Sequence, residues 1–218
     1  VDGGKDGMDV PPTVVPLDAP VGQEYLAAMK LGGRYAYAGR EYVARYVVRE
    51  ILKANIVEEV HNHHNFAWEE EHHGEKFWVV RKGATPAFPG QQGFVGGSMG
   101  DDAVIIEGVD SRVAREALFS TVHGAGRIMS RTAAKGKFEN VGGKRIRKPG
   151  LVRHDEMMQW LKNQGIVLRG GDLDEAPQAY RRLTDVLAAH TGTIRVLHTL
   201  RPLGVAMAGR DIVDPYKD

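Results

Sequence analysis

The 218-residue sequence contains no cysteine. That absence excludes disulfides, thiolate catalysis and cysteine-ligated zinc or iron–sulfur sites, leaving imidazole and carboxylate as the available metal ligands. Long apolar runs are missing too. No window approaches the roughly 18 uncharged apolar residues of a membrane span, and no basic, apolar leader ending in small residues opens the chain. No membrane partner and a cytoplasmic location are therefore expected. Neither internal repeats nor low-complexity tracts occur. At 42% hydrophobic and 26% charged residues, the chain can build one sizeable core or two small ones.

The near-neutral net charge of +1 hides an uneven distribution. Between Arg127 and Arg153 stand nine Lys or Arg and one acid, Glu139, so this stretch carries +8 and the remainder −7. A solvated basic face accounts for such a run. So does a phosphate-rich ligand such as nucleic acid.

Residues 1–16 have Gly and Pro throughout and no periodicity, and read as a linker or lead-in; 210–218 read as a tail. The start at Val1 fits a fragment or processed product. Between them, 17–209 hold the periodic segments. Asp18 is placed to cap a helix with Pro20 in its first turn, and apolar spacing predicts helix to about Ala54, broken or bent at Gly32, Gly33 and Gly39. Strands are predicted at 56–61, 77–81 and 103–107, and a strand-like run at 194–208. Further helices are predicted just beyond His123 toward Lys135, around Met157 to Leu161 with Gly165 as its cap, and over 175–190. Strands grouped in the middle without βαβ alternation predict an α+β fold.

Two clusters could carry chemistry. His61-Asn62-His63-His64-Asn65 is the densest group of imidazoles, expected at a strand end, where His61 and His63 share a face and His64 takes the other. A metal site and solvated or core histidines are both open readings. Ser120-Thr121-Val122-His123-Gly124-Ala125-Gly126-Arg127 surrounds a histidine with small residues whose amides could close around an anion, with Arg127 and Arg131 four apart on the following helix. A histidine facing such a nest could act as nucleophile or acid–base at phosphorus; a Gly-rich turn with an incidental histidine explains the same string. Glycine-rich stretches at 81–85 and 96–100 fit ordinary turns as well as ligand loops. Tyr180 could stack on a base or fill the core.

The strings LDAPVGQEYLAAM, HNHHNFAW, VVRKGATPAFPGQQG, GGSMGD, STVHGAGRIMSR, LDEAPQAYR and HTLRPLGV, in this order, resemble the C-terminal half of the RtcB-type RNA-splicing ligases from Leu17 to Gly209. The resemblance implies an RtcB-like fold and an enzyme that seals RNA ends bearing a 3′-phosphate or 2′,3′-cyclic phosphate to 5′-hydroxyl ends, using GTP and manganese (Mn2+), with tRNA a possible substrate and an accessory activator possible. It places the nucleophile that takes up the guanylate at His123. By the same resemblance His64 is a metal ligand, Ser98, Gly124, Ala125, Gly126 and Tyr180 belong to the nucleotide pocket, and Asn65, Lys82, Arg127 and Arg131 face RNA.

Three departures accompany the match. The family's other metal ligands, an Asp, a Cys and two His, belong to an N-terminal half outside this sequence. Ala103 stands where a serine often follows the GSMG string. Met207-Ala208-Gly209 replaces a terminal Lys-Gly pair whose lysine contacts guanine. A non-ligating RNA- or nucleotide-binding relative, or a metal-dependent phosphoesterase built on His61 to His64, are the alternative readings.

Overall fold

The computed structural model describes residues 14–209, apart from the side chains of Phe138, Arg145 and Arg147. Most of the expected lead-in and the tail 210–218 lie outside the described residues. The chain divides into two compact units at Val57 and Glu58.

The first unit is dominated by α1 (Pro20–Tyr46), which runs into a π-helical turn, Val47–Ile51. Ala19, not Asp18, is the N-cap, in extended conformation and without a side-chain cap bond. Pro20 needs no amide partner in the first turn, so the helix starts without a polar cap. Nor do Gly32, Gly33 and Gly39 break it: glycine lowers helix stability without forbidding helical dihedrals.

In the second unit, β1 (Asn65–His72) and β2 (Glu75–Lys82) form an antiparallel hairpin. His73 and Gly74, with φ of 54° and 79°, make its two-residue turn, the left-handed pair that suits strand twist. The strand expected at 56–61 is absent. The run has β-branched residues but no ladder partner, and the sheet begins only at Asn65. β3 (Ala84–Pro86) continues from β2 and pairs antiparallel with β6 (Ser120–Val122). Between them come β4 (Gln92–Val95), β5 (Ala103–Gly108) and the short α2 (Arg112–Glu116), capped by Ser111 Oγ accepting from Ala114 N.

The next helix, α3 (Arg131–Lys135), has only five residues and follows a Ser130 cap; 123–130 are irregular, with Gly126 at φ 74°. It passes directly into the hairpin of β7 (Gly136–Val141) and β8 (Lys144–Pro149), turned by Gly142 and Gly143. Part of the +8 stretch is thus a β-hairpin, not a helix face. α4 (His154–Asn163) buries Met157 and Leu161, four apart, and ends before Gly165 at φ 72°, as the sequence implies. After β9 (Val167–Arg169), the helix expected over 175–190 is split into 3₁₀ turns at Leu173–Glu175 and Pro177–Ala179 and a short α5 (Leu183–Ala188). Pro177 cannot donate a helical amide bond, which ends the first turn. β10 (Ile194–Leu200) joins β5 and β4 in a three-stranded antiparallel sheet with β5 central, and β11 (Gly204–Ala206) pairs parallel with β9. Helices with several small, mostly antiparallel sheets make the fold α+β.

Two cores result. One packs Val95, Val104, Ile106 and Ile194 with Ala125 and Leu183; the other packs Met99, Met157, Leu161, Ile166 and Leu173. The 96–100 loop joins them, with Val95 in the first and Met99 in the second. Gly100 is required there: φ is 91°, and a Cβ would lie 2.5 Å from the Trp160 ring.

One buried charge ties the hairpin to the rest. Arg81, 1% exposed, binds Glu70 through both terminal nitrogens at 2.6 and 2.9 Å, donates from Nε to Ser120 Oγ at 2.9 Å, and donates from Nη2 to the Leu118 carbonyl at 2.8 Å. Its guanidinium also lies over the Trp68 ring. Burial pushes the Glu70 carboxyl up, but hydrogen bonds from Arg81 and His72 and the guanidinium charge outweigh it and hold the group below its ordinary value of 4.5. Because the folded value is depressed, this contribution to stability is fully present above 4.5 and lost as pH falls through the lower folded value. Truncating Arg81→Ala is expected to cost about 3–5 kcal/mol by stranding the carboxylate. Urea unfolding at neutral pH checks this, and a loss under about 1 kcal/mol contradicts a structural role for the pair.

Candidate active site

The β3–β6 pairing sets Ala84 opposite Val122, so Gly83 and His123 meet one residue beyond the paired strands. His123 Nδ1 lies 2.6 Å from the Gly83 carbonyl. A carbonyl only accepts, so Nδ1 carries a proton, and in the neutral ring the lone pair resides on Nε2. The ring is exposed, leaving that nitrogen accessible to a ligand.

Gly83 is held in turn. Its N–H donates to the His64 carbonyl at 2.8 Å and to Asn65 Oδ1 at 2.9 Å, and its φ of 66° lies in the left-handed region. A Cβ there would come within 3.3 Å of His123 Cε1 and 3.5 Å of Nδ1. The His64 ring stacks on His123 at 5.2 Å, the planes 13° apart. Asn62, one of the residues sequence reasoning passed over, bridges neighbouring strands: Nδ2 donates to Thr85 Oγ1 and Oδ1 accepts from Phe94 N, both at 3.1 Å. Lys82 is exposed at the end of β2, in register with Asn65. These contacts gather His64, Asn65, Lys82 and His123 around one peptide.

The imidazole cluster itself does not converge. His63 stacks on Phe66 at 5.1 Å while His64 turns to His123. The cluster precedes β1, so the face alternation expected of a strand end does not apply. Among the described residues no three His, Asp or Glu side chains group to hold a metal ion. By itself this donor set does not fit manganese.

On the other side of His123, the loops 96–100 and 123–127 are tied together: Gly96 bridges to Gly124, and Ala125 N donates to the Gly96 carbonyl at 3.1 Å. A Cβ on Gly124 would lie 3.1 Å from that same carbonyl. Gly126 is exposed and Ala125 buried. Ser98 is buried, its Oγ 3.5 Å from Asp101 Oδ2. Burial pushes the Asp101 carboxyl above its ordinary value, against the opposing charge of Arg182.

Arg127 and Arg131 do not share a helix, because α3 begins only at Arg131. They nonetheless converge on the acidic pair Asp174 and Glu175. Arg127 donates from Nη1 to Tyr180 Oη at 2.8 Å and lies over the Tyr180 ring at 4.8 Å, while its Nη2 is buried without a partner. Tyr180 Oη donates to Glu175, and Arg131 donates to Glu175 and, at 3.2 Å, to Asp174. Lys135 lies 3.6 Å from the same Asp174 oxygen. The two acids and Arg81 are the residues that motif reading left without a role. The signal for Arg81 was its place two residues from buried Val79 on an alternating strand.

A family model for the tRNA-splicing ligase RtcB matches residues 9–208. The chain belongs to the RtcB family. It is 36% identical over 188 residues to the RNA-splicing ligase RtcB of Escherichia coli (strain K12), covering 82% of this chain and 42% of that protein. It is also similar to the tRNA-splicing ligases RtcB of Archaeoglobus fulgidus, at 33% identity with 88% of this chain and 43% of that protein covered, and of Pyrococcus abyssi, at 32% identity with 88% and 23% covered. The chain thus spans less than half the length of these curated relatives.

Replacing Gly83 by Ala tests the geometry around His123. The left-handed backbone and the close ring together are expected to cost about 1–3 kcal/mol and to shift the imidazole. Denaturant unfolding and the rate of His123 acylation by diethyl pyrocarbonate report both. Unchanged values in the variant contradict the arrangement.

Proposed function

We propose that this chain is the part of an RNA ligase that carries the nucleophile, and that the enzyme joins 3′-phosphate or 2′,3′-cyclic phosphate ends to 5′-hydroxyl ends with GTP and manganese. The observation that carries the reading is the exposed His123 with Nδ1 committed to the Gly83 carbonyl. With its proton on Nδ1, His123 can attack a phosphorus atom through Nε2 without prior proton loss, and Gly83 stabilises the positive charge that develops on the ring. Pyrophosphate leaves, and GMP remains bonded to Nε2. The guanylyl group then passes to the RNA 3′-phosphate, and the 5′-hydroxyl displaces GMP to close the phosphodiester. GTP supplies the activated phosphoryl group.

The other proposed roles rest on the resemblance of the motifs to the family. Ser98, Gly124, Ala125, Gly126 and Tyr180 border the nucleotide, and Asn65, Lys82, Arg127 and Arg131 border RNA. Asn65 also fixes the peptide against which His123 rests. His64 would offer one imidazole to manganese. The remaining ligands would come from sequence that the relatives have beyond the matched part, so the chain alone is incomplete.

One observation favours a second reading, a nucleotide- or RNA-binding relative without ligation. Both arginines already hold carboxylates of Asp174 and Glu175, which an incoming phosphate would have to displace or join. The test is incubation with manganese and GTP labelled at the α-phosphate, with and without the missing portion supplied, followed by mass mapping. Label on His123 in the supplemented sample, absent after His123→Ala, is the expected result. Label elsewhere, or none in an assembled sample, contradicts the ligase reading.

A further inference from the structure

Five cations have no part in the site around His123. Lys137, Lys144, Arg145, Arg147 and Lys148 all lie in the β7–β8 hairpin, whose one acid is Glu139, so the hairpin carries +4. Folding does not require this arrangement. Lys137 stands directly opposite Lys148 in the ladder, a like-charge pair that destabilises a hairpin unless something offsets it. Glu139 does so, giving one carboxylate oxygen to Lys137 at 2.9 Å and the other to Lys148 at 2.6 Å. It is thereby committed, and the hairpin holds no second carboxylate to balance Lys144, Arg145 and Arg147. Nor is either face a core face. By register Lys137, Lys144 and Lys148 share one face with Val141 and Ile146, which stay about half exposed, and Arg145 and Arg147 fall at positions of the other.

The hairpin is nonetheless firmly rooted. Gly136, at φ 83°, passes so close to β8 that a Cβ would lie 2.1 Å from the Lys148 carbonyl oxygen, and a Cβ on Gly150 would lie 2.1 Å from that of Ala134. Leu151 N and Val152 N donate to the Ala133 and Ala134 carbonyls at 2.8 and 3.1 Å, and Ala134 and Val152 are buried in the core that holds Met99. β7 follows α3 without a break, so the hairpin continues the line of cations formed by Arg127, Arg131 and Lys135. With six residues per strand it reaches roughly 20 Å from that root.

We propose that the β7–β8 hairpin is an RNA-binding arm that holds the phosphodiester backbone of the substrate away from the end being joined and reads charge, not base sequence. The inference rests on the reading that the chain acts on RNA. Arg145 and Arg147, two apart on β8, lie roughly 7 Å apart along the strand, a spacing that suits successive phosphates. An acidic protein would meet one face of the ribbon, whereas cations at positions of both faces suit phosphates on either side of it. The helix α1 supplies no net counter-charge, with Lys30, Arg34, Arg40 and Arg45 against Glu24 and Glu41.

The test is equilibrium binding of the full chain to a fluorescent stem-loop RNA with a 3′-phosphate end over a range of salt. Lys144→Gln, Arg145→Gln and Arg147→Gln together are expected to weaken binding at least about tenfold at low salt. They should also flatten the plot of log K against log salt by about 2–3, since each lost duplex phosphate contact removes about 0.9. The thermal midpoint of the variant is expected to hold, because Glu139 and its two lysines remain. Arg145→Lys with Arg147→Lys should keep both affinity and slope, as a phosphate accepts lysine as a point charge. Unchanged affinity and slope in the glutamine variant, loss of binding in the lysine variant, polyglutamate competing as well as RNA, or no RNA binding by the natural chain would each overturn the proposal. Guanylylation of His123 needs no RNA, so the glutamine variant should retain it in the supplemented sample. Failure of that labelling in the natural chain would count against the ligase reading and leave the arm standing.

Discussion

The buried guanidinium of Arg81 is the contact on which the arrangement of the site depends. It sits two residues before Gly83 on β2 and grips Ser120 and Leu118, a few residues before His123. The two chain segments that must meet at the His123–Gly83 hydrogen bond are thus held by one rigid, multiply bonded side chain. Four donations, two of them to one carboxylate, satisfy most of what a buried guanidinium needs. Removal of Glu70 would leave an unpaired guanidinium against the aromatic rings of Trp68 and Phe88. Stability and site geometry are coupled for this reason: the same contact that closes the hairpin onto β6 places His123.

A second coupling runs through the glycine loops. The 96–100 loop belongs to both cores, since Val95 anchors one end and Met99 the other, and it is tied to the 123–127 loop by the Ala125–Gly96 bond. The segment after His123 then pairs Arg127 with Tyr180 and leads into α3, where Arg131 and Lys135 meet Asp174. Imidazole, glycine loop, arginine and tyrosine are therefore consecutive parts of one connected framework. Its three cations, Arg127, Arg131 and Lys135, face two carboxylates, Asp174 and Glu175. Any phosphate that engages Arg127 or Arg131 does so in competition with Glu175 and Asp174.

Much of this was legible in the sequence, and the failures have specific causes. Runs rich in β-branched and aromatic residues revealed β2 and β5, and the Gly165 cap marked the end of α4, because those signals are local. The helix expected after His123 did not form until Arg131, since Gly124 and Gly126 favour turns and the segment is held by contacts to Gly96 and Tyr180. The helix over 175–190 failed at Pro177. The hairpin of β7 and β8 read only as a charge run, because Lys and Arg dominate its strands and obscure their alternation. The ordered motifs located His64, Asn65, Lys82 and His123, which the fold brings together. The Gly83 carbonyl and the Arg81 network depend on long-range pairing, and no local pattern announces them. Asp174 and Glu175 stood in a quoted motif, yet their pairing with Arg127 and Arg131 links residues more than 40 positions apart.

The Gly83 carbonyl holds the neutral His123 ring with its proton on Nδ1 and its lone pair on Nε2. Nitrogen-15 NMR of the imidazole in the intact, histidine-labelled chain reads this directly, at a pH where the ring is neutral. The account expects His123 to show a protonated Nδ1 and an unprotonated Nε2, with slowed exchange of the Nδ1 proton. A spectrum in which His123 carries its proton on Nε2, or exchanges rapidly between the two forms, would contradict it.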